Sequence, residues 1–206
     1  MIFFRIVIFS LCLSGLPAFA QKEFKTFQKR FDQQLSMCLS KDFEPVKIHP
    51  VPDNGKKQYA HCWLFSAIGR HYIGTEQAFD PDKIPDPDKP VLPLDYLDSK
   101  IHQHLDDLKH LNDYEKVSFS KCLSSGLLNF SLENNKKWYL KSINSCLMKG
   151  YGCCRHFSKI SSRILSHLNI DHQIVCSSNH AFVQIHVDDQ WYLIEPQRND
   201  STFYQD

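Results

Sequence analysis

Gly150-Tyr151-Gly152-Cys153-Cys154-Arg155-His156-Phe157-Ser158, then Asn179-His180-Ala181-Phe182, then Leu193-Ile194-Glu195-Pro196, mark out a helix and the strands that follow it. From Cys154 to Leu168 the apolar residues Phe157, Ile160, Ile164, Leu165 and Leu168 recur at steps of three, four, one and three, the face of a single helix. Gly150 and Gly152 permit a tight approach into that helix, and Asn169 is suited to closing it in the left-handed conformation. Three short runs follow: His172 to Cys176, Ala181 to Val187 and Trp191 to Ile194. Ser177-Ser178-Asn179 and Asp188-Asp189-Gln190 separate them as turns, which predicts adjacent antiparallel strands. A helix packed on a small antiparallel sheet makes the fold class α+β.

The same stretch orders three residues of complementary chemistry. Cys154 opens the helix, His180 opens the middle strand 26 residues on, and Glu195 ends the third strand 15 residues after that. At a helix N-terminus the positive end of the dipole and the free backbone N–H groups favour a thiolate. Arg155 and His156 add positive charge nearby, and the free N–H groups can also receive an oxyanion. In an antiparallel pair, Glu195 lies beside the start of the middle strand, where it can accept the imidazole N–H and fix the tautomer. Cysteine, histidine and acid in this arrangement are a nucleophile, its base and the base's orienter.

Working outward, the first twenty residues stand apart. Arg5 is their one charge, Ile6 to Leu13 is an apolar run, and Ala18-Phe19-Ala20 has the small-x-small form of a cleavage site. The expectation is a secretory signal peptide over residues 1–20, with a mature chain beginning at Gln21, exported to the periplasm or beyond. No later stretch approaches the roughly 20 apolar residues of a spanning helix. Without Arg5, Lys+Arg falls from 24 to 23 and equals Asp+Glu at 23. A neutral chain with no basic run has no electrostatic footprint for nucleic acid. Its 15 Phe and 8 Tyr suffice for a core, which argues against disorder.

Eight cysteines become seven once Cys12 leaves with the signal: Cys38, Cys62, Cys122, Cys146, Cys153, Cys154 and Cys176. An odd number in an oxidising compartment implies an unpaired thiol or a bond to another chain. With one nucleophile, six remain for up to three disulfides; the alternative is that several are small buried hydrophobes. A disulfide from Cys153 or Cys154 to Cys176 would compete with the catalytic reading.

Phe24, Phe27, Phe31, Leu35, Cys38 and Leu39 predict an amphipathic helix of about five turns. Pro45, Pro50, Pro52 and Asp53-Asn54-Gly55 predict a long turn after it. His61 to Tyr72 reads as a buried helix. Asp80 to Pro93, with Pro81, Pro85, Pro87, Pro90 and Pro93, reads as an extended loop or linker. Leu94 to Lys109 and Phe130 to Leu147 read as helices. The expected organisation is therefore a signal peptide over 1–20, a helical region over 21–93 ending in the Pro-rich loop, and a catalytic core over 94–206.

These motifs carry a family resemblance. Gly152-Cys153-Cys154-Arg155-His156-Phe157-Ser158 resembles the Gly-x-Cys-Arg-x-Phe-Ala core of the transglutaminase-like superfamily. His180-Ala181-Phe182-Val183-Gln184-Ile185 resembles its His-Ala-Trp strand, and Trp191-Tyr192-Leu193-Ile194-Glu195-Pro196 its Trp-x-x-hydrophobic-Asp-Pro strand. Together they span roughly residues 138 to 200. The resemblance implies a papain-related core with Cys154 as nucleophile, His180 as base and Glu195 as orienter. It also implies acyl transfer at a peptide or side-chain amide through a thioester, a protein or peptide substrate, and no cofactor. Three features depart from the pattern: Glu195 replaces the usual Asp, Phe182 stands where Trp is usual, and the Cys-to-His spacing is short. Asn199 is a reserve orienter, because an amide can replace the acid in thiol enzymes.

Two other readings compete. His61-Cys62-Trp63-Leu64-Phe65-Ser66-Ala67 resembles the Cys-Trp-x-Phe-Ser segment of papain-type proteases, with His180 again as base, although Tyr59-Ala60-His61 stands where that signature has Cys-Gly-x. Alternatively the chain is a disulfide-stapled binding protein on the same fold without activity. Metal binding is disfavoured: His102, His104 and His110 lack the i, i+4 spacing of a helical zinc pair, and Cys153-Cys154-x-His156 is too compressed for a zinc module.

Overall fold

The structure, a computed structural model, describes residues 18–50, 92–130, 142–176 and 180–205, with only the backbone described for Ala18, Phe19 and Cys176. The expected segments 61–72 and 80–91, with Cys62, lie outside the described residues, as do the first 17 residues of the expected signal peptide.

Helix α1 (Ala18–Leu39) forms as its periodicity predicts. Phe24, Phe27, Phe31, Leu35 and Cys38 are all buried on one stripe. Three of these rings surround Tyr96 edge-on at 5.6 to 6.0 Å. Buried phenylalanines of this kind each contribute about 2–3 kcal/mol. A disulfide joins Cys38 to Cys122 across 84 residues of chain. In the chain-entropy picture, closing a loop of that length removes unfolded-state entropy worth about 4–5 kcal/mol. Cys146, Cys153 and Cys154 are free thiols, so neither of the adjacent cysteines is committed to a disulfide.

After α1 the expected long turn is instead interrupted by strand β1 (Lys47–Pro50), which pairs in parallel with the last strand of the chain. Helix α2 (Pro93–Gln103) starts on Pro93 at its first turn, where the missing N–H costs nothing. It breaks at His104 and resumes as the single turn α3 (Leu105–Leu108). Helix α4 (Asp113–Leu127), which the periodicity did not predict, begins with a reciprocal capping box between Asn112 and Glu115. It is buried on nearly every side, including Ser120, Lys121 and Ser124. A helix surrounded by protein has no amphipathic stripe to read.

The expected helix from Phe130 to Leu147 is corrected at both ends. Asn129–Phe130 is the short strand β2, and the helix α5 runs Ile143–Lys149. Gly150 closes α5 at φ 75°, a left-handed position that suits glycine, and donates its N–H to the Cys146 carbonyl. Strand β3 (Tyr151–Gly152) pairs in parallel with β2. At Gly152 a Cβ would stand 2.7 Å from Leu128 Cδ1 and 3.1 Å from His156 Cβ, so any larger residue there would have to displace the Leu128 side chain.

Helix α6 (Cys154–His167) follows at once, and Asn169 leaves it at φ 55° in the left-handed conformation. Strands β4 (Asp171–Cys176), β5 (Ala181–Val187), β6 (Gln190–Ile194) and β7 (Thr202–Gln205) complete the chain. The sheet order is β1-β7-β6-β5-β4, antiparallel except for β1 with β7. The turn between β5 and β6 is Asp188-Asp189 alone, both left-handed, rather than three residues. Phe157, Ile160 and Ile164 of α6 pack with Val183 and Ile185 of β5 in one core that also includes the α1 stripe. Phe182 and Leu193 lie on the opposite face of the sheet with Val175 and Tyr204. Among the described residues, no helix is long and apolar enough to cross a membrane.

Candidate active site

Cys154 is the first residue of α6, with Cys153 as its N-cap. Both side chains are partly exposed. The backbone N–H of Arg155, in the first turn of the helix, faces both sulfurs. The N–H of Ala181 hydrogen-bonds the Cys154 sulfur. Because Ala181 follows His180 directly, that bond brings the head of β5 to the head of α6.

The two sulfurs hydrogen-bond one another and titrate as a pair. The Cys153 thiol is pulled down to about 4, chiefly by the bond from Cys154, with burial opposing and His156 and the Arg155 N–H assisting. The Cys154 thiol is pushed up by that same bond, by burial and by the charge on its neighbour, against the N–H groups of Ala181 and Arg155. The pair therefore gives up one proton readily and holds the second. His156 is buried, and its Nδ1 accepts the Cys153 N–H at 3.2 Å and lies 3.3 Å from the Cys153 sulfur.

His180 stands just before β5, partly exposed, with its ring 5.8 Å from that of Phe182. Its Nε2 lies 3.6 Å from Glu195 Oε1. The His180 ring holds the Glu195 carboxyl below the usual carboxylate range, against burial and with help from Arg198 and Lys121. Gln197, which the sequence reading passed over, places Nε2 3.4 Å from His180 Nε2 and 3.5 Å from Glu195 Oε2. Asn199, the reserve orienter, is exposed.

The β5–β6 ladder sets Val187 opposite Gln190 and Val183 opposite Ile194, which carries the end of β6 to the head of β5. Beyond Ile194 the chain turns: the Arg198 N–H donates to the Glu195 carbonyl at 3.0 Å, so Gln197 sits within that turn and not on a strand face. The hairpin was legible from Asp188-Asp189, but no local signal in the sequence marked Gln197.

Among the described residues, no group of three or more His, Cys, Asp or Glu side chains is placed to hold a metal ion. His104 instead contacts Asp107 at 2.8 Å on the surface.

A helix headed by cysteine, set on an antiparallel sheet whose strands present histidine and acid, defines a class of protein as well as a site. The chain belongs to the transglutaminase-like domain family, whose model matches residues 94–202, just over half of the chain. It is also similar to UPF0252 protein MJECL39 of Methanocaldococcus jannaschii, at 34% identity over 58 residues. That match covers 28% of this chain and 16% of the relative, so the chain spans only a small part of the length of the curated relative it matches. No solved structure matches it significantly.

Proposed function

We propose that this protein is a thiol enzyme that cleaves or transfers acyl groups at peptide or side-chain amides, with Cys154 as nucleophile, His180 as base and Glu195 as orienter. The Cys154 sulfur attacks the amide carbonyl carbon as His180 takes its proton. Glu195 accepts the Nε2–H of the imidazolium, so the thiol proton arrives at Nδ1. His180 returns that proton to the departing nitrogen, and ammonia or an amine leaves a thioester. Water then attacks the thioester, His180 taking its proton, and the Cys154 thiol is regenerated as the acid departs. In this reading the backbone N–H groups of the first turn of α6, Arg155 among them, turn from the sulfur to the oxyanion as it forms.

The observation that carries this reading is the convergence at one point: Ala181 N–H on the Cys154 sulfur, and the adjoining His180 ring 3.6 Å from Glu195. Hydrolysis is favoured over cross-linking. Cross-linking needs a second site that holds an amine and excludes water, whereas hydrolysis needs only that water reach the thioester. The catalytic core is proposed to span 94–206, preceded by the region 21–93, whose described part supplies helix α1 and strand β1. Export after a signal peptide over 1–20 accords with the apolar run Ile6 to Leu13 and with the Cys38–Cys122 disulfide.

The test is Cys154→Ser, assayed on a glutamine-containing protein with a labelled primary amine present. Loss of amide hydrolysis with the fold retained is expected. Amine incorporation that outpaces hydrolysis would reverse the preferred branch, and unchanged activity would remove Cys154 from the mechanism. One observation favours a second reading, with Cys153 as nucleophile: its depressed thiol lies 3.3 Å from His156 Nδ1. Activity lost in Cys153→Ser and kept in Cys154→Ser would establish it.

A further inference from the structure

Helix α4 carries Lys121 and Ser124, three residues apart and so on one face. Both are buried, Lys121 to 1% exposure. Both reach the segment that follows β6. Ser124 Oγ donates to the Pro196 carbonyl at 3.1 Å. Lys121 Nζ donates to Asp200 Oδ1 and to the Thr202 carbonyl, each at 2.9 Å. Asp200 accepts the Thr202 N–H at 3.1 Å and meets Arg198 Nε at 2.9 Å. The Arg198 N–H closes a turn on the Glu195 carbonyl at 3.0 Å. The two anchors therefore bracket the site: Pro196 lies between Glu195 and Gln197, and Asp200 lies just beyond them.

A buried ammonium is a costly way to secure a loop. Its desolvation costs several kcal/mol, and an apolar contact of the same volume would stabilise the fold as well or better. What an ion pair with two fixed acceptors supplies is position. Strand β6 has ended at Ile194, so no ladder hydrogen bonds remain to place residues 195–200. We infer that Lys121 and Ser124 are positioning residues, holding the turn that carries Glu195 and Gln197 against His180. The inference rests on the triad proposed above and adds to it a supporting layer supplied by α4.

The experiment is a double-mutant cycle read as the rate and pH profile of iodoacetamide attack on Cys154, resolved by mass spectrometry. The charged or titratable groups facing Glu195 are His180, Arg198 and Lys121, with Asp200 behind them. Lys121→Met/Asp200→Asn removes both charges of the pair together. It is expected to slow Cys154 alkylation by roughly 10- to 100-fold, the effect of misplacing a catalytic group by about an ångström. It is also expected to reproduce the pH profile of Glu195→Gln, and combining the two should cost little more than either alone. A purely structural pair would lower the melting temperature, leave the profile at its wild-type shape and multiply with Glu195→Gln; that result overturns the inference. Should the double variant fail to fold, Ser124→Ala gives the same comparison, with a loss of about fivefold expected for one hydrogen bond and no change overturning the inference. If Glu195→Gln slows alkylation and neither α4 variant does, the triad stands and the inference falls. If Glu195→Gln itself has no effect, the triad falls and the inference with it.

Discussion

His180 presents Nε2 to Glu195 Oε1 at 3.6 Å, from the head of β5 to the residue just past the end of β6. The pairing links the base to the strand hairpin rather than to the cysteine's helix. Its consequence for pH follows from the Glu195 carboxyl, held low first by the hydrogen bond from His180. A carboxyl depressed in the folded state contributes stability that is present above its ordinary value and lost as pH falls through the folded value. The His180–Glu195 pair should therefore persist into mildly acidic solution and fail only below the usual carboxylate range. Glu195→Gln keeps the shape and removes the charge. Over the pH range in which wild-type Cys154 is alkylated, it should slow that reaction by at least about tenfold, as loss of an orienting carboxylate does in triads. A wild-type rate in that variant would exclude Glu195 as the orienter.

The adjacent thiols make a prediction of opposite character. Cys153 pushes Cys154 up, through the sulfur–sulfur bond first and its negative charge as well. Cys153→Ala removes both effects, while the N–H groups of Ala181 and Arg155 stay in place. Site-resolved alkylation of Cys154 should then begin at lower pH than in the wild type, with amide hydrolysis retained. An onset moved to higher pH would mean that Cys153 supports the Cys154 thiolate instead.

At the other end of α6, Asp98 is buried between Arg163 and His167. It receives Arg163 Nε and His167 Nε2 at 2.8 Å each. Burial works against the Asp98 charge, but these two partners outweigh it and hold the carboxyl below its ordinary value. Asp98→Ala removes the buried carboxylate shared by the half-buried Arg163 and the buried His167 and should cost about 3–5 kcal/mol at neutral pH. The wild-type advantage is present above the ordinary carboxylate value and should shrink as pH falls through the depressed one. Urea midpoints of both proteins from neutral to acidic pH measure this, and a constant gap would contradict it. Arg163 lies nine residues beyond Cys154, roughly 14 Å along the helix, so Cys154 alkylation in the folded variant should keep its wild-type rate.

How far the chain could be read depended on how local each feature was. Helix α6, its closure at Asn169 and the three following strands were legible, because periodicity and turn residues act over a few positions. Helix α4 was not: it is buried all round, and only the Asn112–Glu115 capping box marked it. Strand β1 was hidden among prolines, since its partner Thr202–Gln205 lies at the other end of the chain.

The site divides along the same line. Cys154 at a helix start, His180 at a strand start and Glu195 after the next strand follow from residue order and spacing, which the chain carries in itself. Which groups meet His180 does not. The two left-handed aspartates, Asp188 and Asp189, set a hairpin register that runs only to Ile194; the turn beyond it, closed by Arg198 on Glu195 and held by Ser124 on Pro196, brings Gln197 to His180 and leaves Asn199 exposed. Likewise, Cys38 bonds Cys122 because α1 packs on α4, and Lys121 reaches Asp200 because that helix lies behind the loop. Local dihedral preference and hydrophobic spacing are properties of neighbours in sequence. Pairings across about 80 residues depend on which apolar faces close upon one another, and that is settled only when the whole core has packed.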